Sequence, residues 1–272
     1  MPTNLIRAGL IRAMRRWHLE HFIVGASRDA TVALRRLSGI DRRIIGAYFT
    51  ENDHPKLHIG AGHFPLSGWL NTSWFPVDRG CVFMDATRAF PFPDDSFDHV
   101  MSEHMIEHVA HSGAATMIAE CHRVLRPGGR LRLTTPDLGF LINLLRDDLD
   151  DRQVRYIGAL AAVYGIEASG IATFNHFVRA WGHAFIYTPE ELARMLTAAG
   201  FTAISFHRLN ESDDPALRNI EHPERMADGF LQLESMTLEC TKPKAPRRAV
   251  SHGLGSDAAA PHTARPSGRV PL

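Results

Sequence analysis

The residues best placed to do chemistry lie at the ends of short apolar runs. Lys56-Leu-His-Ile-Gly-Ala-Gly62 closes on a Gly-x-Gly turn, Phe83-Met-Asp85 ends on an acid, and Phe97-Asp-His-Val-Met-Ser-Glu103 ends on a serine and an acid. Gly60 and Gly62 permit backbone angles and a closeness of approach that a Cβ would forbid. Strand ends of this kind, in this order, are how the carboxyl edge of a parallel sheet looks when a nucleoside-bearing ligand lies in the crevice outside it. Two further groups carry titratable side chains. His104-Met-Ile-Glu-His108 has the H-x-x-E-H spacing, which on a helix would set two imidazoles toward a zinc ion with Glu107 as base. No third ligand is recognisable downstream, so no metal is assigned. Asn175-His-Phe-Val-Arg-Ala-Trp-Gly-His183 puts His176 and His183 near an arginine and a tryptophan, and Asp137 follows Leu131-Arg-Leu-Thr-Thr-Pro136. Each histidine reads either as a general base titrating near neutrality or as a hydrogen-bonded structural residue. Arg179 reads as an anion partner or as part of a solvated face, and Asp137 as a base or a helix cap.

The elements that would hold these groups alternate in period. Leu57–Ile59, Trp69–Ser73, Cys81–Met84, Phe97–Met101 and Arg130–Thr134 read as strands, with a helix over Ala114–Leu125 stopped by Pro127-Gly128-Gly129. Phe201–His207 and Leu233–Cys240 read as two last strands joined by a long polar loop. Thr188-Pro-Glu-Glu191 predicts a helix over Thr188–Ala199, with Thr188 as N-cap and Glu191 closing a capping box. Helices are expected around Ala30–Leu37 and Asp41–Phe49. Strands alternating with helices imply a doubly wound sheet.

Taken with Gly68-Trp-Leu-Asn71, Asp85–Asp98, Ser102-Glu-His-Met-Ile-Glu-His108, Glu120–Gly129 and Tyr187-Thr-Pro-Glu-Glu-Leu192, residues from about 55 to 243 resemble a class I S-adenosylmethionine (SAM) dependent methyltransferase, most closely the broad bacterial type-11 group. The resemblance implies an α/β fold with a doubly wound, seven-stranded, mostly parallel Rossmann-like sheet. It implies an N-terminal helical extension over 1–50, a methyltransferase domain over 51–241 with a helical substrate cover at 138–186, and a disordered tail over 242–272. It implies SAM as cofactor, with Gly60, Ala61 and Gly62 under its methionine part, Asp85 and Ala86 at the adenine, Glu103 on the methyl side, and His108 as a cofactor-side or helix-packing residue. Ser73 stands where the group commonly has an acid that grips the ribose, and Asp78 in the next loop is the alternative ligand. His176, His183 and Asp137 are the candidates for the acceptor side.

The expected reaction moves a methyl group to an oxygen or nitrogen of a small-molecule or glycan/lipid-linked acceptor. The alternatives are a SAM-binding protein without turnover in a biosynthetic complex, and last a zinc peptidase on His104, Glu107 and His108. Thirty basic and thirty acidic residues cancel, so no basic footprint for nucleic acid is expected. Three scattered cysteines make no disulfide framework and fit a reducing cytoplasm, and no apolar run reaches the ~20 residues of a membrane span. Residues 1–19, with Arg7, Arg12, Arg15 and Arg16 and a helical apolar stripe, read either as a peripheral membrane contact or as a helix packed on the domain.

Overall fold

In the computed structural model the described residues are 34–244, apart from Arg36 and Val77. Of the extension expected over 1–50, the basic segment 1–19 lies outside the described residues, as does the tail beyond residue 244.

Strands β1 (Lys56–Ile59), β2 (Leu70–Ser73), β3 (Val82–Phe83), β4 (Phe97–Glu103), β5 (Leu125–Pro136), β6 (Thr202–His207) and β7 (Ser235–Thr241) form one sheet in the order β3-β2-β1-β4-β5-β7-β6. All are parallel except β7, which runs against both β5 and β6. Chain direction of travel reverses between β1 and β4, the switch point where open α/β sheets bind ligands. Helix α1 (Ile40–Glu51) flanks β3. Helix α2 (His111–Val124) buries Ala114, Met117, Ile118, Cys121 and Val124, one stripe at helical spacing, against the sheet.

Pro127-Gly-Gly129 does not stop that helix. The backbone turns extended already at Leu125, and the three residues form a bulge inside β5: Phe97 pairs with Leu125, but His99 pairs with Arg130. Gly128 sits at φ 88°, and a Cβ on Gly129 would lie 2.9 Å from the Asp98 carbonyl oxygen, so glycine is what lets the bulge pack. The strand expected from Leu233 begins at Ser235, because Phe230–Glu234 (α7) closes a helical turn that buries Phe230 and Leu231.

The segment 138–186 holds the helices α3 (Leu138–Asn143), α4 (Asp151–Tyr164) and α5 (Gly170–Arg179). It has its own small core of Leu141, Leu144, Tyr156, Ile157, Leu160 and Phe177, joined by Phe230. A reciprocal capping box forms here, between Asp150 and Gln153 at the start of α4. Helix α6 (Pro189–Ala198) has Thr188 as its N-cap, but the Glu191 carboxylate turns to His111 (2.7 Å) and Arg194 instead of closing a box. Among the described residues no helix is long and apolar enough to cross a membrane.

The loop between β6 and β7 is polar in sequence yet partly internal. Leu217 and Ile220 pack on Trp69 and Met101. Glu221 reaches the fully buried guanidinium of Arg132 at 2.5 Å, and Glu239 closes the other side of that cation. Carbonyls of Arg208 and Glu211 take two more of the Arg132 donors. The cation is therefore both paired and hydrogen-bonded, the condition for tolerating it in an interior.

Candidate functional site

A cavity of about 610 Å³ opens outside the carboxyl ends of β1, β2 and the β3 and β4 loops, within the usual range for small-molecule sites. Gly60 forms its floor at φ 77°, packed so closely on Met105 that a Cβ would come 2.4 Å from that side chain's Cγ. Gly62 also sits at positive φ, and Ala61 donates its N–H to the Thr72 carbonyl at 2.9 Å, which fixes the turn between β1 and β2. Asn71 braces the same turn by exchanging hydrogen bonds with the backbone of Leu66, and its carbonyl oxygen meets His58 Nδ1 at 3.0 Å.

Ser73, Asp85, Ala86 and His108 line this cavity together with Gly60. The Ser73 hydroxyl accepts from Phe75 N at 3.1 Å and keeps its own proton to donate. Asp85 Oδ1 accepts from Thr87 N and Oγ1, at 3.0 and 2.6 Å, and Oδ2 lies 3.0 Å from Arg88. Trp74 and Phe75 add aromatic faces that sequence reading did not single out. Asp78 is turned to its own loop, Oδ1 accepting from Gly80 N and Cys81 N, and is not among the lining residues.

Glu103 is placed differently from expectation. It is buried, and both carboxylate oxygens are taken by His222, through the backbone N and through Nδ1, each at 3.0 Å. It ties the β6–β7 loop to the sheet instead of facing the cavity.

The H-x-x-E-H segment is not a helix. His104 follows the last residue of β4 at φ 48°, and only Ile106–His108 form a 3-10 turn. His104 Nε2 meets Ser235 Oγ at 2.8 Å and Nδ1 lies 3.3 Å from Glu107, so the histidines do not converge as a peptidase motif would need. Glu107 is fully buried, with Oε2 accepting from Thr135 Oγ1 at 3.0 Å. Burial alone would raise its pKa, but His104 and His108 together hold it below the ordinary carboxylate value. Burial would likewise lower His104, and Glu107 with Glu234 and Glu103 pushes it above the usual value.

Of the acceptor-side candidates, the structure brings one to this place. The His183 ring lies 5.0 Å from that of His108, and its Nδ1 meets the Phe177 carbonyl oxygen at 2.8 Å. That carbonyl can only accept, so Nδ1 carries the proton and Nε2 keeps a lone pair. Burial lowers the His183 pKa, which favours this neutral form. His176 instead packs between Tyr164 and the edge-on ring of Trp181, beside a shallow pocket that includes Arg179. Asp137 caps α3 by accepting from Gly139 N at 2.7 Å.

Residues 73–133, which run from the end of β2 to the middle of β5, match the family profile described as a methyltransferase domain. That match covers 61 of the 272 residues, counting from 73 to 133. No curated protein matches the chain. Among solved structures it is similar to a SAM dependent methyltransferase from Archaeoglobus fulgidus, at 16% identity and TM-score 0.42 over 76% of this chain and 94% of that one. It is also similar to phosphoethanolamine N-methyltransferase 2 of Haemonchus contortus in complex with SAM, at 15% identity and TM-score 0.41 over 70% of this chain. The match spans about half, 49%, of that enzyme's length. Four of the cavity-lining residues at the sheet's switch point, Ser73, Asp85, Ala86 and His108, fall within the matched segment.

Proposed function

We propose that this methyltransferase acts on an oxygen or nitrogen of a small-molecule or glycan/lipid-linked acceptor, with the cofactor held by Gly60, Ser73, Asp85, Ala86 and His108. The observation that carries the reading is the meeting of these five residues around one 610 Å³ cavity, although they come from four separate strand ends. When bound, SAM supplies a sulfonium methyl with a built-in leaving group. The chain's own work is then to align and to exclude water. Gly60 lets a ligand lie against the backbone, the Ser73 hydroxyl serves the ribose, and Asp85 with the Ala86 backbone serves the adenine edge between the Trp74 and Phe75 faces. The acceptor approaches from the side of His108, whose ring lies 5.0 Å from that of His183. His176 and Asp137 are assigned packing and capping roles in this reading.

Calorimetric titration with S-adenosylhomocysteine (SAH), followed by transfer of labelled methyl from SAM to panels of sugars, lipids, phenols and amines, tests it. Asp85→Ala should weaken SAH binding by about ten- to a hundredfold, the loss of one to two hydrogen bonds to a polar partner. Unchanged SAH affinity in the folded variant would remove Asp85 from the adenine. Tight SAH binding with no transfer across the panels would favour a binding protein without turnover.

A further inference from the structure

We propose that Glu107, His108 and His183 form a binding site for a first-row divalent transition-metal ion, zinc in particular, at the covered edge of the cavity. Each of the three offers one ligand atom, and these atoms all lie within 4.8 Å of one another. Two imidazoles and one carboxylate are the donor set of zinc sites that keep an open coordination position.

Four independent features prepare the site. Glu107 is fully buried, and its Oε1 has no hydrogen-bond partner among the described residues. The nearest groups to that oxygen are His104 Nδ1 at 3.3 Å and His108 Nε2 at 4.0 Å. His104 is thus an ion-pair partner of that oxygen, which makes no hydrogen bond and keeps a lone pair to offer a metal ion. Its other oxygen is aimed by Thr135, at 3.0 Å, in the way outer partners orient metal ligands. His183 has its Nδ1 spent on the Phe177 carbonyl, leaving Nε2 as the only lone pair it can present. Last, the segment that carries His183 is tethered to Glu107 itself: Ala184 N and Phe185 N donate to the Glu107 carbonyl at 2.7 and 3.1 Å. The third ligand therefore arrives by tertiary structure from 75 residues beyond His108, counting from 108 to 183, and no local spacing announces it.

A tetrahedral ion with bonds of about 2.0–2.1 Å would hold its ligand atoms about 3.3 Å apart, so the two imidazoles need only rotate inward. His104 stays outside the set, its Nε2 on Ser235. His108 is 38% exposed and lines the cavity, so the open coordination position faces the cavity and takes an oxygen donor, water or an acceptor hydroxyl. That last assignment rests on the methyltransferase reading, whereas the metal site does not.

The test uses the full chain stripped with chelator and then titrated with zinc against a chromophoric chelator, with bound metal counted by mass spectrometry after desalting. One zinc per chain is expected. Glu107→Gln and His183→Ala should each weaken binding at least about tenfold, and His176→Ala, seven residues before His183 and packed on Tyr164, should leave it unchanged. Cobalt loaded in place of zinc should give visible bands that His183→Ala removes. SAH titration and urea unfolding of each variant show that it is folded and report on the cofactor reading separately. If wild type binds no zinc, or if folded His183→Ala binds it as wild type does, the site is refuted; should Glu107→Gln fail to fold, the His183→Ala result decides.

Discussion

Replacing Gly60 by alanine tests how the floor of the cavity is built. Two costs act at this position. The backbone sits at φ 77°, and an L side chain in the left-handed region costs about 1–2 kcal/mol. The new Cβ would also fall 2.4 Å from Met105 Cγ and 2.8 Å from its Cβ. Those atoms are the root of the methionine, so rotation of its flexible end cannot relieve the clash, and overpacking of this kind costs about 1–3 kcal/mol. Gly60→Ala should therefore lose about 2–5 kcal/mol of unfolding free energy, the sum of the two terms. Met105→Ala removes the closer of the two atoms, Cγ, and leaves the Cβ at 2.8 Å. In the Met105→Ala background the same glycine change should lose the part of the overpacking cost that Cγ causes, giving a coupling of about 1 kcal/mol or more in a double-mutant cycle. Urea unfolding of the four proteins measures it, and SAH titration should show the single variant binding weakly with partial recovery in the double. A glycine change equally costly in both backgrounds would mean that Met105 does not set the constraint. One costing under about 0.5 kcal/mol would mean that the left-handed turn itself is not required.

Two buried titrating groups give opposite pH signatures. Burial lowers the His58 pKa to about 4, below its unfolded value, so the folded state resists protonation. About 3 kcal/mol of stability, present above pH 6.5, should be lost as pH falls toward 4, and denaturant midpoints of His58→Gln should lack that part of the acid slope. Glu234, bonded to the Tyr156 hydroxyl, is pushed by burial up to about 7. Its folded form holds the proton more tightly than the unfolded chain does, so stability is full below about pH 4.5 and falls by about 3 kcal/mol as pH rises through 7. Glu234→Gln, which keeps an acceptor for Tyr156, should flatten that limb, and coincident curves for variant and wild type would refute the assignment.

The sequence by itself determined the features whose cause is local. The Gly60-x-Gly62 turn, the apolar strand runs and the Thr188 cap follow from backbone freedom, side-chain periodicity and short-range hydrogen bonding. The order of those elements was enough to set Ser73, Asp85 and Ala86 on one sheet edge. Local pattern misled where a residue type had two uses: Pro127-Gly-Gly129 serves a strand bulge as readily as a helix stop, and H-x-x-E-H needs a helix that the β4 end, with His104 at φ 48°, does not continue. Only the tertiary structure decided the partners of the buried charges. Glu103 meets His222 across 119 residues, Arg132 meets Glu221 across 89, and Glu107 lies beside His183 from the segment 138–186. Desolvation makes each buried charge depend on a partner, but that partner leaves no periodic trace near it in the chain, because it is brought there by the packing of the whole domain.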